Sequence, residues 1–365
     1  DGPEERDLAK AGQRALGNRN RWAVVAIDGN DMGRQFLEFE KRRQAENWPE
    51  EQTREWLTAM SGELERCTRE SFLAAFAKAL SDWAEDVGEE GLKECLARDS
   101  AQGDSAQRLI LPFRPLILGG DDVTLLCHSA YAMGLVKDMA VRFQQLSRDA
   151  AGPASLAAPL WPATGGRLTV SAGILYAKVT FPLHMAIRYA ESLLASAKGR
   201  YRNKDAAVQT PTPAAVDWDT ITDTLVDTPA ERRNRELRFV DDELGLNFQL
   251  TRRPYVLEPS GDAPDIGKLL DLRDQLGAIP PSVRARILPA LRQPWSLRCE
   301  FLASVAKRHP LLMEQLWEEG EKWGPGWIVE QGEGGKRTRV TGLPDALLLL
   351  EEEHRMARPT ADRKP

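Results

Sequence analysis

Three aspartates have the residue type and setting for metal chemistry. Asp28 closes the near-continuous apolar run Trp22–Ile27, and Asp121 and Asp122 follow the pair Gly119–Gly120 between two further apolar runs. If those runs are neighbouring strands of one sheet, the three carboxylates meet at its end. Clustered carboxylates repel and raise one another's pKa unless a cation neutralises them. A hard divalent cation, Mg2+ or Mn2+, answers that need, and Mg2+ commonly takes one or two carboxylates together with substrate phosphates. Two such ions can activate an attacking 3′-hydroxyl and stabilise a leaving pyrophosphate. Taken singly, each aspartate also reads as an ordinary strand-end or turn residue. The joint order of strand-Asp, helix and Gly-Gly-Asp-Asp hairpin is what favours a metal site. The two glycines allow φ > 0 and a close backbone approach to a phosphate or base.

The elements that must hold these groups can be read from the apolar pattern. Trp22–Asp28 reads as a strand buried on both faces. Gly29 and Asn30 break it, and Asp31 is placed to cap a following helix. Residues 33–98 read mostly as helix, with Leu57, Met60, Leu64, Phe72, Leu73, Phe76, Leu80 and Trp83 near the 3.6 period. Residues 99–108 read as a loop. Leu116–Leu118 and Val123–Cys127 then form a hairpin about a four-residue turn. A helix over 130–148, a loop over 149–166 and a strand over 168–176 follow. Pro182 fits the first turn of a helix whose stripe Leu183, Ile187, Ala190, Leu194 and Ala197 runs to Lys198. Proline and threonine at 210–213 mark a candidate boundary. Beyond it, 250–257 reads as extended and helices fall near 265–276, 281–292, 296–318 and 344–356.

Composition bounds the rest. The 365 residues suffice for two domains, and 42% hydrophobic with 28% charged residues excludes wholesale disorder. With 49 basic against 55 acidic residues and a net charge of -6, the chain as a whole is no polybasic nucleic-acid binder. No apolar run approaches the roughly 18 residues of a membrane span; Ala346–Leu350 is far too short. Cys67, Cys95, Cys127 and Cys299 form no CxxC pair and the four histidines show no ligand spacing, so a structural zinc site is not expected. Scattered cysteines without a signal peptide fit a reducing cytoplasm. The chain opens on Asp1, which leaves room for an upstream segment.

In order, Ile27-Asp28-Gly29-Asn30-Asp31-Met32-Gly33, Leu118-Gly119-Gly120-Asp121-Asp122, Val170-Ser171-Ala172-Gly173-Ile174 and a helix ending Ala197-Lys198 resemble the catalytic palm of the large subunit of type III CRISPR effector complexes, the CRISPR polymerase family. Those palms are relatives of GGDEF diguanylate cyclases and nucleotidyl cyclases. The resemblance covers about residues 21–220 and extends more weakly to Val216-Asp217-Trp218, Leu250–Leu257 and a helical C-terminal part. It implies an α+β fold: a ferredoxin-like palm, an antiparallel sheet backed by helices, over 21–225, with a mostly helical domain over 226–357. Residues 1–20 would be a linker or tail and 358–365 a disordered tail. It implies ATP as substrate and condensation into a cyclic oligoadenylate-type messenger for antiviral defence. Asp28, Asp121 and Asp122 match the metal ligands, with the Ile27 carbonyl assisting. The turn from Gly29 through Asn30, Asp31 and Met32 to Gly33 would hold the β- and γ-phosphates through its amides at a helix N-terminus. Gly119 and Gly120 flank the nucleotide, Lys198 matches a triphosphate-contacting lysine, and Ser171 and Gly173 match the lining of the adenine pocket. Many relatives read Asp-Gly-Asp-Asn-Met-Gly, so Asn30-Asp31 reverses the middle pair. Implied partners are effector subunits, guide and target RNA, and a second palm, supplied upstream or by a homodimer.

Other readings stand beside this one. A cyclic dinucleotide synthase of GGDEF type is an alternative, although Asp121-Asp122-Val123 lacks the Glu-Phe of that motif. A Gly-Asp-Asp RNA polymerase would need fingers and a thumb for which the chain is short. A non-catalytic palm scaffold is the reading from another class. Lys198 alone also reads as a solvated helix-end lysine, with Arg200, Arg202 and Lys204 adding local positive charge. Arg232, Arg233, Arg235 and Arg238, interleaved with Glu231 and Glu236, read as a salt-bridged helix face. Gly332–Lys336 lacks the spacing and hydroxyl of a phosphate loop and reads as a hairpin turn. His128 reads as a partly buried bystander, His184, His309 and His354 as isolated. The tryptophans at 83, 161, 218, 295, 317, 323 and 327 read as core and interface anchors.

Overall fold

A computed structural model describes residues 21–98, 107–150, 160–202, 210–222, 227–241, 244–310, 328–331 and 337–353. The expected linker at 1–20, most of the loop at 99–108, the tail at 358–365, Lys204, Gly332–Lys336, His354, and Trp317, Trp323 and Trp327 lie outside those residues. The chain divides between Thr224 and Leu225 into two compact units. The Pro/Thr stretch at 210–213 is therefore no boundary; it lies inside the first unit, where Thr212 is tied to Asp31 by hydrogen bonds.

The first unit runs β1 (Arg21–Gly29), α1 (Met32–Ala45), α2 (Glu50–Glu94), β2 (Leu96–Arg98), β3 (Gln107–Leu109), β4 (Phe113–Gly119), β5 (Asp122–His128), α3 (Ala132–Arg148), β6 (Val170–Lys178), α4 (Leu183–Tyr201) and β7 (Ala215–Ile221). Five of its strands lie in the order β7-β6-β1-β5-β4, and β2 and β3 pair with each other in an antiparallel pair of their own. β1 pairs antiparallel with both β5 and β6, β4 pairs antiparallel with β5, and β7 alone joins parallel, to β6. Strand, helices, hairpin, helix, strand in this order make the ferredoxin-like palm. The parallel β6–β7 pair needs a crossover, which α4 supplies.

Every residue of Trp22–Ile27 is buried, although successive side chains point to opposite faces, so β1 is covered on both sides. That is why its run is apolar without alternation. α3 packs on β6 and β1, and α4 on β6, β7 and β1. The expected long helix is two helices: α1, then α2, which buries Trp56, Met60, Leu64, Cys67, Phe72, Ala75, Ala79 and Trp83 and packs against α3. Gly88, at φ 69, breaks the helical course of α2 near its end. α4 continues one turn past Lys198 to Tyr201, and Pro182 is its cap rather than a first-turn residue.

The second unit carries α5 (Pro229–Glu236), β8 (Arg238–Asp241), β9 (Leu246–Gln249), β10 (Tyr255–Val256), α6 (Ile266–Gly277), α7 (Pro281–Ala290), α8 (Trp295–Arg308), β11 (Ile328–Gln331), β12 (Arg337–Val340) and α9 (Leu343–Glu352). The mostly helical expectation here needs a sheet added: β8, β9, β12 and β11 form one in the order β11-β12-β9-β8. Strands of four residues rich in Arg, Asp, Asn and Gln leave too little apolar pattern to read. Inside this unit Arg298 pairs with Asp241 at 2.7 Å, both buried, beneath the rings of Phe239, Phe248 and Trp295. Asp345, at the start of α9, is fully buried and accepts from Thr251 Oγ1, the Arg252 amide and Tyr255 Oη.

Candidate active site

β1, the β4–β5 hairpin and α4 bring the three aspartates and Lys198 together. Asp28 is the penultimate residue of β1, paired across the ladder with Ser171 of β6. On its other side β1 pairs with β5, Ile27 opposite Val123, which places the hairpin tip beside Asp28. Gly119 and Asp122 pair directly, so the hairpin closes on two residues, Gly120 and Asp121, rather than four. Gly120 has φ 62, the left-handed region that only glycine enters freely. Carboxylate atoms of Asp28, Asp121 and Asp122 all lie within 4.8 Å of one another.

The reason for glycine at position 29 is close approach. A β-carbon there would come within 2.7 Å of Asp121 Oδ2 and 2.9 Å of its Cβ. Lys198 Nζ donates to Asp28 Oδ2 and, at 2.7 Å, to the Gly29 carbonyl. It points into the cluster, not out to solvent along the helix end. Three ionised carboxylates and one ammonium leave two negative charges, which a divalent cation would neutralise. Burial first, and then the Asp28 carboxylate, push the Asp121 carboxyl up to about 6. Burial and Asp28 also raise Asp122, with Lys198 acting against them.

The turn that follows β1 is pinned from behind. Asn30 is buried; its amide donates to the Thr169 carbonyl at 2.8 Å and its Nδ2 to Thr169 Oγ1 at 2.9 Å. Asp31 stands at the N-cap position of α1, as expected, but makes no side-chain cap. Its backbone is left-handed, at φ 64, and its carboxylate accepts instead from the Thr212 amide at 2.6 Å and Thr212 Oγ1 at 3.0 Å. Met32 opens α1, and at Gly33, exposed, a β-carbon would meet nothing within 4 Å. The first amides of a helix have no intrahelical acceptor, and no side chain of Asp31 caps them here, so this end of α1 is left without its N-cap hydrogen bond.

Ser171 and Gly173 find packing roles. Ser171 is fully buried, its Oγ accepting from the Ala215 amide at 3.4 Å. A β-carbon on Gly173 would lie 2.1 Å from the Ala190 carbonyl and 2.4 Å from the Leu194 amide of α4. His128 is buried, with Nδ1 accepting from the Ala130 amide, and burial lowers its pKa to about 4. Trp83, Trp161 and Trp218 are core residues. Arg232 and Arg235 pair with Glu236, and Arg235 with Asp227; Arg238 lies beyond the helix on β8 and donates to Gln249. The residues sequence reasoning missed are Thr169 and Thr212. They lie 139 and 181 residues from the side chains they hold, and no local pattern marks such partners.

No curated protein matches the chain. Among solved structures it is similar to the one titled "Crystal structure of Csm1-Csm4 cassette in complex with cA4", at 16% identity and TM-score 0.30, covering 54% of this chain and 22% of that chain. This chain thus spans less than a quarter of that one. It is also similar to the GGDEF domain of DgcB from Caulobacter crescentus in complex with c-di-GMP, at 13% identity and TM-score 0.28, covering 59% and 84%. The family model described as Cas10/Cmr2, second palm domain, matches residues 21–208, just over half of the chain. That match starts where β1 starts and takes in every element that places the three aspartates, and on it the chain belongs to the family of Cas10/Cmr2 second palm domains.

Proposed function

We propose that the first unit is a metal-dependent nucleotidyltransferase that condenses ATP into a cyclic oligoadenylate-type messenger, working as a palm of a type III CRISPR effector. The observation that carries this reading is the convergence of Asp28, Asp121 and Asp122 within 4.8 Å beside the uncapped N-terminus of α1. The donor set fits a hard divalent cation: all oxygen, two net negative charges, and a carboxyl whose pKa burial and its neighbour raise in the cation's absence. Bound Mg2+ or Mn2+ would neutralise the triphosphate and favour ionisation of the attacking hydroxyl. Asp28, Asp121 and Asp122 would hold it, with the Ile27 carbonyl assisting. The amides from Asp31 to Gly33 would receive the β- and γ-phosphates; the Asn30 amide, expected among them, is spent on the Thr169 carbonyl at 2.8 Å, and Gly119 and Gly120 leave the hairpin tip bare beside them. Lys198, near enough to reach both Asp28 and the turn, would transfer its charge from Asp28 to the triphosphate. The choice of ATP and a second palm as partner, from a homodimer or from upstream sequence, follow from the family, as do effector subunits with guide and target RNA.

The test is incubation of the chain with each labelled nucleoside triphosphate and Mg2+ or Mn2+, with products resolved by mass. Adenylate-linked product with pyrophosphate release is expected from ATP. No product from any nucleotide, with or without the effector subunits, would leave the palm a scaffold.

A further inference from the structure

The side chains of the reversed pair Asn30-Asp31 have no part in the chemistry proposed above, yet both are held in place, Asn30 through Nδ2 alone, its buried Oδ1 finding no hydrogen-bond partner. Asn30 Nδ2 donates to Thr169 Oγ1, and Thr169 Oγ1 donates to the Thr212 carbonyl at 2.6 Å. The Thr212 amide and hydroxyl donate back to the two oxygens of Asp31. The four residues thus form a closed circuit of hydrogen bonds linking the turn after β1, the approach to β6 and the approach to β7. Asn30, Thr169 and Thr212 are each at most 3% exposed, so the circuit is sheltered from competing water. Arg34, one turn into α1, adds a contact to Asp31 Oδ1 at 3.2 Å and reaches the Ala163 carbonyl.

The circuit depends on the order of the pair. The Thr169 hydroxyl spends its proton on Thr212, so it presents lone pairs to position 30 and needs a donor there, which Asn30 supplies and an aspartate would not. Position 31 faces two donors on Thr212 and the Arg34 guanidinium, a setting for a carboxylate. The left-handed backbone at Asp31 turns that carboxylate to the back of the turn. A side chain capping α1 would instead fill the helix end and set a negative charge against an incoming phosphate.

We infer that Asn30 and Asp31 are positioning residues that, through Thr169 and Thr212, hold the Gly29–Gly33 turn and the free end of α1 in the form that receives the triphosphate. This deepens the nucleotidyltransferase reading and rests on it. It also assigns a role to the inversion of the middle pair: the order Asn-Asp is matched to threonines at 169 and 212.

The experiment compares the full chain with Asp31→Ala, Thr212→Val and Thr212→Ser, by amide hydrogen exchange without nucleotide and by steady-state kinetics with ATP and Mn2+. Asp31→Ala is expected to speed exchange over residues 29–35 by about tenfold or more while α3 and β6 stay protected. It should raise KM for ATP by about tenfold and leave kcat within about threefold, the signature of lost ground-state positioning. Thr212→Val should follow it in part, and Thr212→Ser, which keeps the hydroxyl, should behave as wild type. Unchanged exchange at 29–35 would overturn the clamp, and faster exchange with unchanged KM would overturn its role in nucleotide positioning. If the wild-type chain turns over no nucleotide, the nucleotidyltransferase reading and this inference fall together, while the exchange data still say whether the circuit holds the turn. Global loss of protection in Asp31→Ala would move the decision to the Thr212 pair, where equal KM for Val and Ser contradicts the inference.

Discussion

Asp121 holds a proton up to about pH 6 because it is half-buried and faces the Asp28 carboxylate, and a cation must displace that proton. Metal affinity should therefore rise as the pH climbs towards 6, by about tenfold per unit for one proton, and flatten above it. The stability of the metal-free fold moves the opposite way with pH. The folded pKa lies above the ordinary value of 3.8, so this group favours the fold most below about pH 4 and loses that contribution as the pH rises through 6. The gap in Tm between protein with saturating Mn2+ and protein in chelator should widen from about pH 5.5 to about pH 8. A gap independent of pH would contradict the assignment of Asp121 as a ligand. Lys198 is the other residue with a double claim on it. The helix-end reading predicted from sequence would leave it solvated, but its ammonium reaches Asp28 and the Gly29 carbonyl. A charge-assisted contact to phosphate contributes about 1.5–3 kcal/mol, so Lys198→Ala should raise KM for ATP by about ten- to a hundredfold. An unchanged KM would leave Lys198 as a counter-charge for Asp28 alone.

At the scale of elements, glycine at 173 marks where α4 settles onto β6. A methyl there meets the Ala190 carbonyl and Leu194 amide at 2.1 and 2.4 Å, and backbone cannot rotate away as a side chain can. Gly173→Ala should cost about 1–3 kcal/mol or more and lower Tm by several degrees, read by thermal unfolding. Unchanged Tm with weakened ATP binding would instead support the adenine-pocket role that family resemblance gives Gly173. The elements around the site were legible because they are long and strongly patterned: Trp22–Ile27 is apolar throughout, the hairpin carries its own turn glycines, and the stripe of α4 repeats at 3.6. The register that brings Asp28 opposite Ser171, the split of 33–98 into two helices, and the sheet of the second unit were not legible. The register depends on pairing between residues far apart in sequence and the sheet on strands of four residues, whereas the split is a local turn, with Asn47 at φ 51 and Pro49 capping α2, that the apolar period runs across. Asp31 was legible as a cap position but not as a clamp, because Thr212 sits 181 residues away.

At the scale of the molecule, one palm places one set of three carboxylates among the described residues, while joining nucleotides needs an acceptor hydroxyl held against the donor. Light scattering of the chain with ATP and Ca2+ is expected to show twice the monomer mass, the two-fold pair being the commonest way to complete a shared site. A strict monomer that still makes cyclic product would contradict the shared site; a monomer that makes none would place the second palm on another segment or subunit.

The central claim is that Asp28, Asp121 and Asp122 hold the cation that makes this palm a nucleotidyltransferase. It is tested most directly by the release of pyrophosphate from ATP in Mn2+, wild type against Asp121→Ala/Asp122→Ala, with the fold of each checked by thermal unfolding. The wild type should release pyrophosphate and form adenylate-linked product. The double variant should remain folded and fall by more than about a hundredfold, the scale of losing preorganised charge at the reacting centre. Equal release by the folded double variant would contradict the claim.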